Sequence, residues 1–221
     1  MSDARTNILN RLREAATRAP SQPTAPDFTE ADWMARQPVI DDPSGRFQAE
    51  AEKLQSKVVR VKTWDDLPAA VAPWFREFKV QSVMTGEETR LEPLRQHLEK
   101  ELGLNLLRYD RSLDEQRDEI FDVDCGVTTS FGAVAETGTV VLVPSVAEPR
   151  LLSLAPPVHM VVVETSQMYP TMTDLVASGA YQQQLPSNLV FISGASRTAD
   201  IELTLVMGAH GPKVFLVALV G

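Results

Sequence analysis

Val58-Val-Arg-Val61, a helical stretch from Asp65 to Phe78, Val80-Gln-Ser-Val-Met84, a helical stretch from Glu87 to Leu102 and Asn105-Leu-Leu-Arg-Tyr109 follow one another along the chain. Short β-branched runs alternating with helices of ten or more residues predict crossover units and a parallel sheet. A further helix, through Glu50, Lys53 and Leu54, leads into the first strand. Pro68 and Pro73 predict a break or kink in the helix that carries them.

Beyond residue 120 the pattern changes. Gly126-Val-Thr-Thr-Ser-Phe-Gly-Ala-Val-Ala135 and Thr139-Val-Val-Leu-Val143 are rich in β-formers, and Glu136-Thr-Gly138 between them supplies a turn. His159-Met-Val-Val-Val163 and Leu189-Val-Phe-Ile192 predict further strands, Pro170 to Ser178 a helix, and Val214 to Val220 the strand that closes the sheet. The fold class is therefore α/β with a mostly parallel sheet.

On the other side of the alternating stretch, residues 3–18 place Ile8, Leu9, Leu12, Ala15 and Ala16 on one helical face. Residues 19–46 contain five prolines and cannot form one regular element. Residues 1–46 are thus expected to be a helical arm on an extended, Pro-rich linker carrying Phe28 and Trp33, and 47–221 an α/β domain. An arm with an apolar stripe must bury it, which favours a homo-oligomer.

Composition excludes several classes of function. The formal charge of −9, with no Lys/Arg cluster, speaks against nucleic acid. No apolar run reaches the ~18 residues of a membrane span, and the N-terminal residues lack the pattern of a signal peptide. The sole cysteine, Cys125, rules out an internal disulfide and suits a reducing cytoplasm. Three histidines and one cysteine match no zinc spacing, so no metal site is expected. An iron–sulfur cluster held by this chain alone would need several cysteines. Ser130 and Ser145 lack the nucleophile-elbow pattern.

Charge is unevenly spread: residues 1–120 hold 22 acidic and 18 basic side chains, residues 121–221 only 8 and 3. In the strand-rich half an ionised group is costly to bury. Glu136, Arg150, Arg197, Asp200 and Glu202 there each need a partner or a purpose.

Most of these polar groups gather in Ser193-Gly-Ala-Ser-Arg-Thr-Ala-Asp-Ile-Glu202 and Met207-Gly-Ala-His-Gly-Pro212. A glycine after a strand lets backbone N–H groups approach an anion, and Ser193, Ser196 and Thr198 add hydroxyls around Gly194. Arg197 can fork onto a carboxylate or phosphate. Equally, the hydroxyls can cap a turn while Arg197 pairs with Asp200 or Glu202. The segment is neither a Walker loop nor a dinucleotide fingerprint. Glu136, at the turn with Thr137 and Gly138, can serve as nucleophile, base or ligand anchor, or simply bond neighbouring backbone. His210, between glycines and beside Gly211, can move a proton near neutral pH, whereas His159 at the head of an apolar strand reads as structural.

Four blocks together resemble a known family: Ala133 to Leu142, Leu154-Ala-Pro-Pro-Val-His-Met-Val-Val-Val163, Ser193 to Glu202, and Gly208-Ala-His-Gly-Pro212. They are similar, in the same order, to the LUD (lactate-utilisation) domain, and within it to the lactate-utilisation protein C group. The resemblance implies a three-layer α/β/α sandwich like that of the ribose-5-phosphate isomerase, glucosamine-phosphate isomerase and CoA-transferase group. It implies a place in a three-protein system oxidising L-lactate to pyruvate, with iron–sulfur clusters only in cysteine-rich partner proteins and no cofactor in this chain. Family motif positions fall on Glu136, Thr137, Gly138, Arg197, Thr198, Asp200, Glu202, His210 and Gly211.

The expectation that follows is a cytoplasmic subunit holding a small anion, such as the lactate carboxylate, on Arg197 with Ser193, Ser196 and Thr198, and with Glu136 or His210 as the nearest proton acceptor. The rivals are a stand-alone enzyme acting on a sugar phosphate or acyl-CoA, with Glu136 as nucleophile or base, and a non-catalytic assembly subunit for iron–sulfur partners. The common premise is that the scarce charges of the second half converge on one cavity.

Overall fold

Strands buried on both faces read as unbroken apolar runs. In a computed structural model, which describes residues 2–17, 29–180, 186–199 and 205–221, the chain forms two units, Met1–Gln37 and Pro38–Gly221. The first contains α1 (Ser2–Thr17), on which Ile8, Leu9 and Leu12 are exposed, and the short α2 (Glu30–Met34). Trp33 therefore lies in a helical turn, where the prolines predict extended chain. Thr29 and Asp32 cap that turn reciprocally, each side chain accepting from the other's backbone N–H. Phe28 is outside the described residues.

The second unit opens with α3 (Pro43–Lys53), whose first turn is capped by Asp42. Then come β1 (Lys57–Val61), α4 (Leu67–Glu77), β2 (Ser82–Thr85), α5 (Glu92–Lys100), β3 (Asn105–Arg108), α6 (Leu113–Asp122) and β4 (Cys125–Thr129). Pro68 occupies the first turn of α4, where no N–H is required, and the helix runs on through Pro73. The predicted break is absent because Val71, Ala72 and Phe75 lock that helix into the core, offsetting the lost hydrogen bond.

The run of β-formers from Gly126 to Ala135 is two strands, not one. β4 ends at Thr129, and after Ser130 and Phe131 the chain enters β5 (Gly132–Val134), which belongs to another sheet. β5 turns through Ala135–Thr137 and Gly138, at φ +62°, into β6 (Thr139–Leu142). After β7 (Val158–Glu164) come β8 (Met168–Tyr169), α7 (Met172–Ala177), β9 (Val190–Ile192), the hairpin β10 (Arg197–Ala199) with β11 (Leu205–Met207), and β12 (Val214–Val220).

The main sheet is six-stranded in the order β1-β12-β7-β4-β2-β3, and every pair in it is parallel. β12 does not close it at an edge; it lies between β1 and β7, and it and β7 are almost wholly buried. Alternate residues serve opposite faces. Val83, Val127, Met160 and Leu216 pack with α4 and α5 on one side. Val161, Val163, Phe215 and Val217 pack on the other with α3 and with the second sheet, whose order is β8-β5-β6-β9. α6 covers Met84 on that same side through Ile120, and α7 packs outside the second sheet through Leu175. The layers are those of an α/β sandwich with a small mixed sheet inserted in one of its outer layers.

Candidate functional site

In a parallel sheet the two ends of the strands differ chemically, and ligands favour the carboxyl end. Of the residues singled out in the sequence, the stretch from Ser193 to Arg197 and Gly211 lies at the other one. Ser193 follows β9, a strand of the second sheet, so its position after a strand is not the carboxyl edge of the parallel sheet. Gly194 lies against the end of α3 and the start of β1: a Cβ there would stand 3.1 Å from Leu54 O and 3.6 Å from Ser56 Oγ. The Ser196 N–H donates to Pro212 O (2.8 Å), just ahead of β12, and the Gly208 N–H donates to Ser196 O (2.8 Å). Gly211 packs on Ser196, whose Cβ would be 3.3 Å from a Cβ added at the glycine.

This amino-edge cluster does bring the 136 turn and the 193 loop together. Thr137 Oγ1 lies 2.7 Å from Thr139 Oγ1, which lies 2.8 Å from Ser193 Oγ, a chain of three hydroxyls joining the two segments. Gly138 lets the turn close onto α3: a Cβ there would come within 2.5 Å of Ala51 N. Glu136 is half-buried, its N–H donating to Pro170 O (2.9 Å).

Arg197 is exposed and already engaged. Its guanidinium donates to Leu54 O (2.5 Å) and Gln55 Oε1 (3.2 Å), at the C-terminus of α3. That is the helix end where a cation is favoured and where carbonyls lack intrahelical partners. The expected carboxylate clamp is thus a helix cap in this structure, and Arg197 makes no ion pair with Glu136. His210 is exposed. Thr198 faces Val206 across the β10–β11 hairpin. Asp200 and Glu202 lie outside the described residues.

Of the five charges that needed a partner or a purpose, Arg197 is spent at the end of α3 and Arg150 lies at the opposite edge of the sheet, while other charges of the second half are settled locally. Glu164 pairs with Arg90 (2.7 Å), Asp174 caps α7, and Asp124 accepts from the N–H groups of Gln81 and Ser82. His159, buried beneath the second sheet, bonds Thr128 Oγ1 through Nε2 (2.9 Å), and burial lowers its pKa to about 3. The structural reading of His159 fits that geometry. Burial likewise pushes the Cys125 thiol up, which makes it unreactive.

At the carboxyl edge lies what the sequence did not show. Where β4 leaves the parallel sheet, Thr129, Ser130, Glu148, Arg150 and Ser153 help line a cavity of about 150 Å³. Thr129 donates twice to Glu148, its N–H to Oε1 (2.8 Å) and its hydroxyl to Oε2 (2.6 Å). Burial holds Glu148 above the usual carboxylate range, and the two bonds from Thr129 oppose that shift. Ser130 Oγ is buried with no hydrogen-bond partner. Arg150 has no ion-pair partner among the described residues, whereas Arg90, Arg95, Arg108 and Arg111 each have one. Arg150 stood out in the sequence as a charge without a purpose; Glu148 and Ser130 carried no spacing that marked them. Among the described residues no group of three His, Cys, Asp or Glu side chains is placed to hold a metal, and no helix is long and apolar enough to cross a membrane.

A six-stranded parallel sheet with helices on both sides and a second sheet in one outer layer defines an α/β protein with two distinct edges. The chain belongs to the LUD domain family, whose model matches residues 45–220. It is 30% identical over 228 residues to the protein NMB1437 of Neisseria meningitidis serogroup B, covering 95% of this chain and 90% of that one. It is 28% identical over 217 residues to lactate utilization protein C of Halalkalibacterium halodurans, covering 93% and 91%. The crystal structure of a DUF162 family protein from Deinococcus radiodurans has the same fold, with a TM-score of 0.61 at 23% identity, over 83% of this chain and all of that one.

Proposed function

We propose that this chain is a cytoplasmic subunit of a multi-protein system that oxidises L-lactate to pyruvate, and that it binds a small carboxylate and carries no redox group of its own. The observation that carries this reading is its similarity, over nearly its whole length, to proteins named lactate utilization protein C. The chemistry of the chain is compatible with that role. Oxidation of a 2-hydroxy acid releases two electrons and two protons. A single buried cysteine cannot accept those electrons as a cluster ligand set. In this reading they leave through cysteine-rich, iron–sulfur partner proteins, while this subunit binds and orients.

The test is genetic and biochemical. Removing the gene from its host should abolish growth on L-lactate but not on pyruvate, and the restored, tagged chain should co-purify with a cysteine-rich protein that has iron–sulfur absorbance. Normal growth on L-lactate without the gene refutes the reading.

A further inference from the structure

The cavity at the exit of β4 combines three groups that are rarely left available together. Arg150 offers a guanidinium with no ion-pair partner among the described residues, at an edge where the other arginines are paired. Ser130 is buried, 8% exposed, and its Oγ has no hydrogen-bond partner. A buried hydroxyl without a partner is a place where a ligand or water is wanted. Glu148 accepts one bond on each oxygen from Thr129. When ionised, Glu148 has about four lone-pair sites and no proton to give, so it can still accept but cannot donate.

We propose that this cavity is a binding site for a small 2-hydroxycarboxylate, with the ligand's carboxylate on Arg150 and Ser130 Oγ and its hydroxyl donating to Glu148. The carboxylate site stands on geometry alone; that the hydroxy acid is lactate rests on the function proposed above. Size supports the class. About 150 Å³ holds a few heavy atoms and is below the roughly 300 Å³ at which drug-sized ligands begin. A wider groove of about 1240 Å³ adjoins it through Pro144, Pro149 and Arg150. That groove is lined by Glu87, Asp110 and Glu115, and its Arg111 is tied to Asp110 and Glu119. With three carboxylates against two guanidinia, Arg111 and Arg150, that groove offers the several phosphates of a coenzyme no cationic cradle, which disfavours the acyl-CoA alternative.

Glu148 gives the site a direction of choice. A hydroxyl donates to it, whereas the keto oxygen of a 2-oxo acid brings a lone pair against an acceptor. Burial, which raises the Glu148 pKa, increases what a further donor contributes.

The experiment is calorimetric titration of the intact chain with L-lactate, glycolate, pyruvate, acetate and phosphate, the fold of each variant being checked by near-UV circular dichroism. Lactate and glycolate should bind about tenfold more tightly than pyruvate, the worth of one charge-assisted hydrogen bond. Arg150→Gln should weaken every carboxylate by at least about tenfold, since it removes the ionic partner. Glu148→Gln should bring the lactate-to-pyruvate ratio close to unity, because an amide can donate to a keto oxygen. Ser130→Ala deletes an unpaired hydroxyl and should fold normally while binding more weakly. Flat titrations for all acids, equal affinity for lactate and pyruvate, or loss of binding in Arg197→Ala with Arg150→Gln unaffected would each overturn the proposal. Binding of hydroxy acids by a chain whose deletion leaves growth on lactate intact supports the site and removes lactate as its ligand. A growth defect without any binding removes the site and leaves the role in lactate oxidation.

Discussion

His159 sits at the second position of β7, with Gly126 on one side and Phe215 on the other in register. Its ring is fully buried, 5.4 Å from that of Phe215, and Nδ1 has no hydrogen-bond partner. Burial alone lowers its pKa from 6.5 to about 3, so the folded chain keeps it neutral well into acid. The unfolded chain does not. Between pH 6.5 and about 3 the unfolded state binds one more proton at this residue, and stability falls as pH falls across that window. The slope is about 1.4 kcal/mol per pH unit; above pH 6.5 both states are neutral and the contribution is flat. Glu88, Glu92 and Glu119, held below 4.5 chiefly by hydrogen bonds from Arg90, Arg95 and Gln116, add their own loss only at lower pH. Glu148, whose pKa burial raises, adds stability as pH falls and does so in both proteins. In urea unfolding at pH 7, 6 and 5 the difference is therefore what counts: His159→Gln should lose about one proton's worth less toward pH 5 than the native chain. Parallel slopes for the two proteins would mean that the folded ring takes a proton after all.

At the scale of elements, the best-connected feature is the end of α3. Arg197 reaches across from β10 to Leu54 O and Gln55, Gly194 lies against the same carbonyl, and Gly138 packs on the backbone one turn earlier. Gln55 itself has φ +65°, the left-handed geometry with which helices commonly end. Arg197→Ala should therefore destabilise the chain by about 1 kcal/mol, the usual worth of a cation at a helix C-terminus. It should also speed amide exchange in the last turn of α3 and leave anion affinity unchanged. An unaltered exchange rate there would deny Arg197 its role as a cap. The same elements explain what could be read beforehand. The βα alternation was legible because period 2 and period 3.6 differ sharply from Val58 to Tyr109. α6 was not, because among its described side chains Ile120 and Gln116 alone are buried and Gln116 is spent on backbone at Arg108, Asp110 and Arg111. The passage from β4 to β5 was hidden by an unbroken run of β-formers, and a strand pattern does not say which sheet a strand joins. The same ambiguity leaves open which sheet β9 joins, and so the edge at which Ser193 lies. The meeting of Thr137, Thr139 and Ser193 was legible as a cluster of polar residues between core strands; the pairing of Glu148 with Thr129, nineteen residues apart, had no local sign.

Across the whole molecule, the division of labour between the two edges follows from where backbone and charge are already spent. At the amino edge, glycines, hydroxyls and Arg197 tie α3, the second sheet and the start of β12 to one another. At the carboxyl edge, beside Glu148, Ser130 Oγ is buried without a hydrogen-bond partner and the exposed Arg150 has no ion-pair partner among the described residues. Every residue of the four hydrophobic clusters, from Ile40 to Val220, belongs to the second unit. Among the described residues the core lies within 38–221, and burial of apolar surface is the dominant favourable term in folding. A chain beginning at Pro38 should accordingly unfold in one cooperative transition, with a midpoint within about 4 °C of the full chain's, the shift that roughly 1 kcal/mol makes in a domain of this size. It should also bind hydroxy acids as the full chain does, because both edges and the β4 exit lie inside it. Differential scanning calorimetry followed by titration measures both. A truncated protein that is molten, or that folds but no longer binds, would place part of the core or of the site in the N-terminal unit.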